Sequence, residues 1–398
     1  MTAPADGHPA RTAGLAYMPH LDSLRALAAG LVLMEHFWAP EIVKRYIPTG
    51  FLGVRLFFVL SGFLITAILL NARNDLEPGY GSFSAVARHF YTRRALRLFP
   101  VFYLTVLIAA ICNVPAIRSS LLWHLFYSSN FYFAWIGHWV GAINHFWSLA
   151  VEEQFYLLWP WVILLCPRAA LLRITWALPA IALVFQGFAH FAGLSDIQRE
   201  VLPPGCVDAL GAGALLAVTK GNTKRRYVRF CRNVGIPAFF LIMISWRFGQ
   251  IRLLDLDIAY PLLIALGSAW IVHRASCGFS GLLGRFFSLR PLIYLGKISY
   301  GIYIYHNFCP SIIAFLTRRL ALHVNLYVAR VAPYFVTVLI ASFSWYFLEG
   351  PIQRLKAALY GDKGRAALRI VGRPVRALTS LDFSALLRAV HIKRDRSI

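Results

Sequence analysis

Apolar runs of about 20 residues, the length a helix needs to cross a bilayer, recur along this chain between residues 21 and 351. Hydrocarbon offers no partner to a backbone N–H or C=O, so each run must close its hydrogen bonds within itself, as a helix. Only 14% of the residues are charged, against roughly a quarter in a soluble domain, which leaves too little polar surface for a water-soluble protein. Ten candidate spans follow, at about 23–40, 50–70, 97–116, 146–166, 174–193, 206–219, 234–249, 258–273, 291–314 and 329–348. The expected fold class is all-α: a polytopic membrane protein, a bundle of about ten transmembrane helices. The first segment, "MTAPADGHPARTAGLAYMPH", has no short apolar core followed by a cleavage site, so the first span is expected to anchor the chain itself.

Lys and Arg mark the cytoplasmic loops of such proteins. With the N-terminus inside, basic residues in inner segments outnumber those in outer segments about threefold. Both termini are then cytoplasmic, and the net charge of +23 reads as topology rather than as a nucleic-acid surface. The expected organisation is a cytoplasmic tail over 1–20, a transmembrane domain over 21–351 and a basic cytoplasmic tail over 352–398. Part of that last tail, "LTSLDFSALLRAVHIKR", is amphipathic and is expected to lie on anionic lipid. The aromatic outer loop at about 117–145 is expected to be interfacial or re-entrant. The six cysteines are scattered, with neither a CxxC pair nor metal-ligand spacing. They read as buried apolar residues, with no disulfide framework and no metal site.

Ionisable groups inside a bilayer are costly and are kept mostly where they act. The first span, "LDSLRALAAGLVLMEHFW", carries Arg25 and His36. Eleven residues turn an α-helix only about 20° past three full turns, so both point one way, about 16 Å apart along the axis. Arg25 alone could snorkel to the headgroups, and His36 alone could be a hydrogen-bonded core histidine. A neutral imidazole is also the usual general base near neutral pH. "ARHFYTRRALRLFP" gathers Arg93, Arg94 and Arg97 at the inner entrance of the third span. That is partly a topology signal, but the planar guanidinium fork also suits phosphate, as in an acyl-CoA. In "HFWSLAVEEQFYLLWP", Ser148, Glu152, Tyr156 and Trp159 share a face while Glu153 points about 100° away. The glutamates either sit in a wet vestibule or supply one partner that fixes the tautomer of His36 and raises its basicity. In "LGKISYGIYIYHNF", Ser299, Tyr303 and His306 recur at helical spacing and read as pocket lining. Asp208, in "GCVDALGAGALLA", is a further intramembrane acid, among glycines that read as close helix packing.

Taken in order, "LDSLRALAAGLVLMEH", "GVRLFFVLSGFLIT", "RRALRLFPVFY", "FWSLAVEEQFYLLWP", "ISYGIYIYH" and "FLEGPIQR" resemble the membrane acyltransferase-3 family over about residues 20–355. The resemblance implies a ten-helix transferase that acylates sugars and other acceptors from a cytoplasmic acyl-CoA. It implies that His36, Arg25 and the Arg94-x-x-Arg97 pair are essential; Glu35, beside His36, is outside the pattern, and its role stays open. Some members carry a fused hydrolase-like domain, which this chain is expected to lack.

The expected activity is transfer of an acetyl or other short acyl group from acyl-CoA to a hydroxyl of a cell-surface glycan or lipid-linked saccharide, in the bacterial inner membrane. His36 is the general base, with Glu152 or Glu153 orienting it. Arg25, Arg93, Arg94 and Arg97 hold the donor, and Ser148, Tyr156, Tyr303 and His306 line the pocket. No permanently bound cofactor is expected; the partners are acyl-CoA, the saccharide acceptor and membrane lipid. A proton-coupled transporter would also use intramembrane His and Glu, but the chain shows no two-half symmetry. A non-catalytic flippase or scaffold would survive loss of His36.

Overall fold

The computed structural model describes residues 17–38, 48–74, 83–248, 256–321 and 325–354. The amphipathic tail at the C-terminus and most of the N-terminal tail lie outside them. The chain divides into two units, Met1–Ile352 and Gln353–Ile398, and the site lies in the first. Among the described residues all regular structure is helical. Five helices are long and apolar enough to cross a membrane: Thr49–Asn74, Phe83–Ile111, Arg168–Phe191, Ile258–Cys277 and Tyr327–Arg354.

The first helix, α1 (Pro19–Leu33), starts with Pro at its first position, where no N–H is needed. It widens into a π turn over Met34–Trp38. Glu35, on that turn, caps the next helix, α2 (Thr49–Asn74). Its carboxylate accepts from the Thr49 hydroxyl (2.7 Å) and the Gly50 N–H (3.3 Å), at the positive end of the helix dipole. The seam at the Arg cluster differs from expectation. One helix, α3, runs Phe83–Ile111, starting well before the apolar run at 97. Apolarity marks where hydrocarbon begins, whereas Arg and Ala are good helix formers on either side of that boundary.

The outer loop folds as two short helices, α4 (Leu121–Leu125) and α5 (Ser129–Ile136). Phe133, Ile143 and His124 are buried there, while Leu122, Phe126 and Trp135 face outward. Next come α6 (Phe146–Leu165), α7 (Arg168–Phe191) and α8 (Asp196–Val201), the last held by a capping box from Ser195 and Gln198. The sixth expected span is the short α9 (Val207–Val218), begun by the Pro203–Gly205 turn. Then follow α10 (Gly221–Phe230), a π turn (Cys231–Gly235), α11 (Ile236–Phe248) and α12 (Leu256–Cys277). The ninth expected span, 291–314, is not one helix. After α13 (Gly281–Phe287) the chain forms α14 (Arg290–Lys297), α15 (Ser299–Tyr305), a 3₁₀ turn (His306–Phe308) and α16 (Cys309–Arg319). Pro291 and Pro310 each start a helix there and cannot continue one. The last helix, α17 (Leu326–Ser344), ends in a π turn over Trp345–Glu349.

The central helix is α2, which is 72% buried along its apolar window. Its closest partner is α9. A Cβ at Gly213 would lie 2.1 Å from the Val59 carbonyl oxygen, and one at Gly62 would lie 2.0 Å from that of Leu210. Only glycine on both helices allows this approach. The contact also buries an ion pair. Arg55 (2% exposed) binds Asp208 (1% exposed) and donates to the Gly205 carbonyl oxygen at 2.9 Å. The intramembrane acid at 208 is thus answered by the intramembrane arginine at 55. Cys206, Cys231 and Cys309 are buried, but Cys112 and Cys277 are exposed. The latter two lie at helix C-termini, where packing does not reach them, so the expectation of burial fails for them.

Candidate active site

A cavity of about 380 Å³ opens among α1, α2, α3, α6 and α15. Each helix contributes polar groups at a spacing that puts them on one face. From α1 come Asp22 and Arg25. Arg25 donates to one Asp22 oxygen (2.9 Å) and the Tyr17 hydroxyl donates to the other (2.7 Å). From α3 come Arg94 and Arg97. The Arg94 guanidinium lies 4.1 Å from the centroid of the Tyr156 ring, and its Nε is buried with no hydrogen-bond partner. Among the described residues neither Arg94 nor Arg97 forms a salt bridge. From α6 come Ser148, Glu152 and Tyr156. Glu152 accepts from the Ser61 hydroxyl of α2 at 2.7 Å. The Tyr156 hydroxyl stands 2.9 Å from Ser61 Oγ and 3.1 Å from Glu152 Oε2. Trp159, the next residue on that face, donates to Thr66 (2.8 Å). Arginines thus outnumber carboxylates in the lining, three to two, and two of the three are in no salt bridge among the described residues. With cations in excess and Arg94 Nε left without a partner, the cavity is suited to an anionic ligand that accepts from the guanidinium forks.

The cavity stops at Ser148 and Tyr303, whose hydroxyls are hydrogen-bonded to one another. Behind them three histidines meet. The His306 ring lies 4.8 Å from those of His36 and His145. His145 donates through Nε2 to the Ile304 carbonyl oxygen (3.0 Å), and its Nδ1 accepts from Asn307 (3.1 Å). His36 Nδ1 is 2.8 Å from the Val32 carbonyl oxygen and His306 Nδ1 is 2.6 Å from that of Tyr303. A carbonyl only accepts, so these bonds assign the proton of each neutral ring to Nδ1 and the lone pair to Nε2. In His306 that Nε2 is buried and has no partner.

Of the expected donor-binding residues, Arg25, Arg94 and Arg97 meet in the cavity. Arg93 does not: it is exposed, turned about 100° from Arg94, and donates to His89 (3.2 Å). Of the expected pocket residues, Ser148, Tyr156 and Tyr303 line the cavity, and His306 lies behind it beside His36. Glu152 lines the cavity and Glu153 does not. The expected pairing of His36 with a glutamate is not formed: no bond joins His36 to Glu152 or Glu153. The reason is depth. His36 sits at the level of His145, which precedes the first turn of α6, and Glu152 is seven residues, about 10 Å, further along. The π turn at Met34–Trp38 also changes the winding, so Arg25 reaches the cavity while His36 turns to His306.

Sequence reasoning assigned no role to Tyr17, Asp22, Ser61, Tyr300 or His145, all of which line the cavity or flank its end. Ser61 carried a signal, a hydroxyl amid bulky apolar residues of a span, as did Thr66. His145 carried one as well, directly before the aromatic start of α6. Nothing in the spacing marked Tyr17 or Tyr300.

The sequence profile of a family described as an acyltransferase domain matches residues 18–347. The chain is 30% identical over 372 residues to the peptidoglycan O-acetyltransferase OatA of Listeria monocytogenes, covering 85% of this chain and 56% of that protein. It is 29% identical over 375 residues to the O-acetyltransferase OatA of Staphylococcus aureus, covering 85% of this chain and 57% of that one. The chain thus spans little more than half the length of these curated relatives. No solved structure matches it.

Proposed function

The chain belongs to the acyltransferase-3 family of membrane proteins, and from that premise we propose that it transfers an acetyl or other short acyl group to a hydroxyl of a surface glycan. It is a multi-pass membrane protein, placed by this reading in a bacterial inner membrane with both termini cytoplasmic. The donor is a cytoplasmic acyl-CoA. Arg25, Arg94 and Arg97 hold its phosphates, and the acyl-pantetheine arm runs along the cavity past Ser148 and Tyr303 to the histidines. The acceptor is a saccharide or lipid-linked saccharide, the class of acceptor named for the relative from Listeria monocytogenes.

The observation that carries this reading is the pairing of two neighbouring sites. One is a cavity in which Arg94 and Arg97 form no salt bridge among the described residues and Arg94 Nε has no hydrogen-bond partner; the other is His36, whose Nδ1 is held by a backbone carbonyl, so that Nε2 is the base in the proposed step. In the proposed step the acceptor oxygen attacks the thioester carbonyl. His36 Nε2 takes the hydroxyl proton, the C–S bond breaks, and the proton is returned to the leaving thiolate to give free CoA. Base catalysis supplies about 10²–10⁴-fold, and alignment of the two substrates supplies much of the remainder. Glu152 shapes the cavity through Ser61 and Tyr156 rather than orienting the base. The relatives' names favour group transfer over proton-coupled transport.

The test is mass spectrometry of surface glycans from cells with and without the protein, followed by incubation of purified protein with isotopically labelled acetyl-CoA and the same glycan. Ester-linked label on the glycan is expected only with the native protein. Identical acylation of glycans in both cell types, with no label transferred in vitro, would remove the proposal.

A further inference from the structure

A second, open cavity of about 790 Å³ gathers five Lys and Arg side chains among its eleven lining residues. It lies between α10 and the last turns of α12, and is closed by Phe279 and α13. Arg225, Arg229 and Arg232 recur at i, i+4 and i+7, which sets them on one face of their helical segment. Lys224 stands beside them, and Arg274 meets them from α12. Trp270 and Phe279 form an aromatic wall. No Asp or Glu lines the cavity, and among the described residues none of these cations forms a salt bridge.

The positive-inside bias accounts for basic residues in a loop. It does not account for their convergence, from two helices far apart in sequence, on one concave surface. The surroundings say what covers it. α12 is long and apolar enough to cross the membrane, and Arg274 sits in its last turn, at the depth where headgroups begin. Beside the cavity α13 exposes Leu282 and Leu283, an apolar edge next to a cationic bowl. A phospholipid has the complementary form, with phosphate at one end and acyl chains at the other.

We propose that this bowl binds the headgroup of an anionic phospholipid, with the phosphates against Lys224, Arg225, Arg229 and Arg274 and the acyl chains along Leu282 and Leu283. The site is separate from the candidate acyl-transfer cavity and does not depend on the reaction. It does touch the first helix. The Phe279 ring stacks on His20 at 5.8 Å, and the Phe279 N–H donates to His20 Nδ1 at 2.9 Å. A bound lipid thus braces the segment that packs beside Asp22.

The test is native mass spectrometry of the full chain, stripped of lipid in detergent and titrated with diphosphatidylglycerol, phosphatidylglycerol or phosphatidylcholine. Affinity should fall in that order, because the two-phosphate lipid meets the most cations. Combined Lys224→Gln, Arg229→Gln and Arg274→Gln should weaken diphosphatidylglycerol binding about 100-fold, or roughly fivefold per charge. The same charge removed by Arg173→Gln, Arg318→Gln and Arg319→Gln should leave it within about twofold. Melting midpoints would confirm that each variant is folded; if the triple is not, Lys224→Gln and Arg274→Gln singly should each lose about fivefold. Equal binding of phosphatidylcholine would overturn the proposal, as would an equal loss in the control triple. Displacement of bound lipid by 3′,5′-adenosine diphosphate would also overturn it and assign the bowl to the nucleotide end of an acyl-CoA.

Discussion

Glu152 and Glu153 are neighbours in sequence, but only Glu152 reaches the cavity, where Ser61 and Tyr156 engage its carboxylate. Glu152→Gln should therefore lower turnover about 10-fold or more, the worth of a lost charge-assisted hydrogen bond, while Glu153→Gln stays near native. Equal losses in labelled-acetyl transfer would show that the cavity does not distinguish them. His36→Ala should cost about 10²–10⁴-fold in protein that remains folded and in the membrane, and native turnover in that variant would remove the proposed base. For the donor, Arg97→Ala should raise the KM for acyl-CoA about 10- to 150-fold. The change in kcat should be smaller if donor binding equilibrates before chemistry. Arg97→Lys should recover only part, since an ammonium keeps the charge and loses the fork. A KM that stays put in Arg94→Ala, Arg97→Ala and their combination would return the cluster to a topology signal. At this scale the sequence was legible wherever one helix set the geometry. Ser148, Glu152 and Tyr156 share a face because α6 is regular, and Arg94 pairs with Arg97 for the same reason. It was silent on how deep one helix sits against another, and the expected His36–glutamate pair failed on that relation.

Among the elements, α2 and α9 form the contact on which the others are arranged, and its legibility was mixed. The glycines of "GAGALLA" announced close packing, and Asp208 announced a partner within the bilayer. That the partner is Arg55, on a helix about 150 residues earlier, follows only from the fold. Removing one member of a buried pair leaves the other charged without compensation, at roughly 3–5 kcal/mol. Asp208→Ala should therefore bring forward the thermal exposure of Cys206 and Cys231, both buried in the native chain, to a thiol-reactive dye in detergent. Arg55→Met combined with Asp208→Leu should regain much of the loss. An unshifted unfolding curve for Asp208→Ala would show that the pair holds nothing. The break of the ninth expected span into α14, α15 and α16 was hidden for another reason. Its mostly apolar composition runs on through Lys297 and His306, whereas one interruption comes at Pro310 and the other beside a close approach. A Cβ at Gly296 would lie 1.8 Å from the Asp22 carbonyl oxygen.

For the whole molecule, the distribution of basic residues predicts that Asn222 and Ser195 face opposite sides of the membrane. Cysteines placed there one at a time, in a chain without the native six, should differ in intact cells: Ser195→Cys should react with a membrane-impermeant reagent and Asn222→Cys should not. Reaction at Asn222 would overturn the assigned orientation. The buried setting of α9 has a consequence for how the protein is made. The helix is about 18 Å long, too short for a hydrocarbon core of about 30 Å, and it carries an acid that only Arg55 neutralises. Two of its neighbours, α2 and α7, precede it in synthesis, but α12, which packs on its remaining side, is made later. Lipid cannot stand in for that missing wall, so α9 has to wait, loosely held, until α12 leaves the ribosome. Chains stalled at residue 250 should leave Cys206 open to alkylation, and chains stalled at residue 320 should protect it. The centre of the finished bundle is thus among the last parts of it to settle.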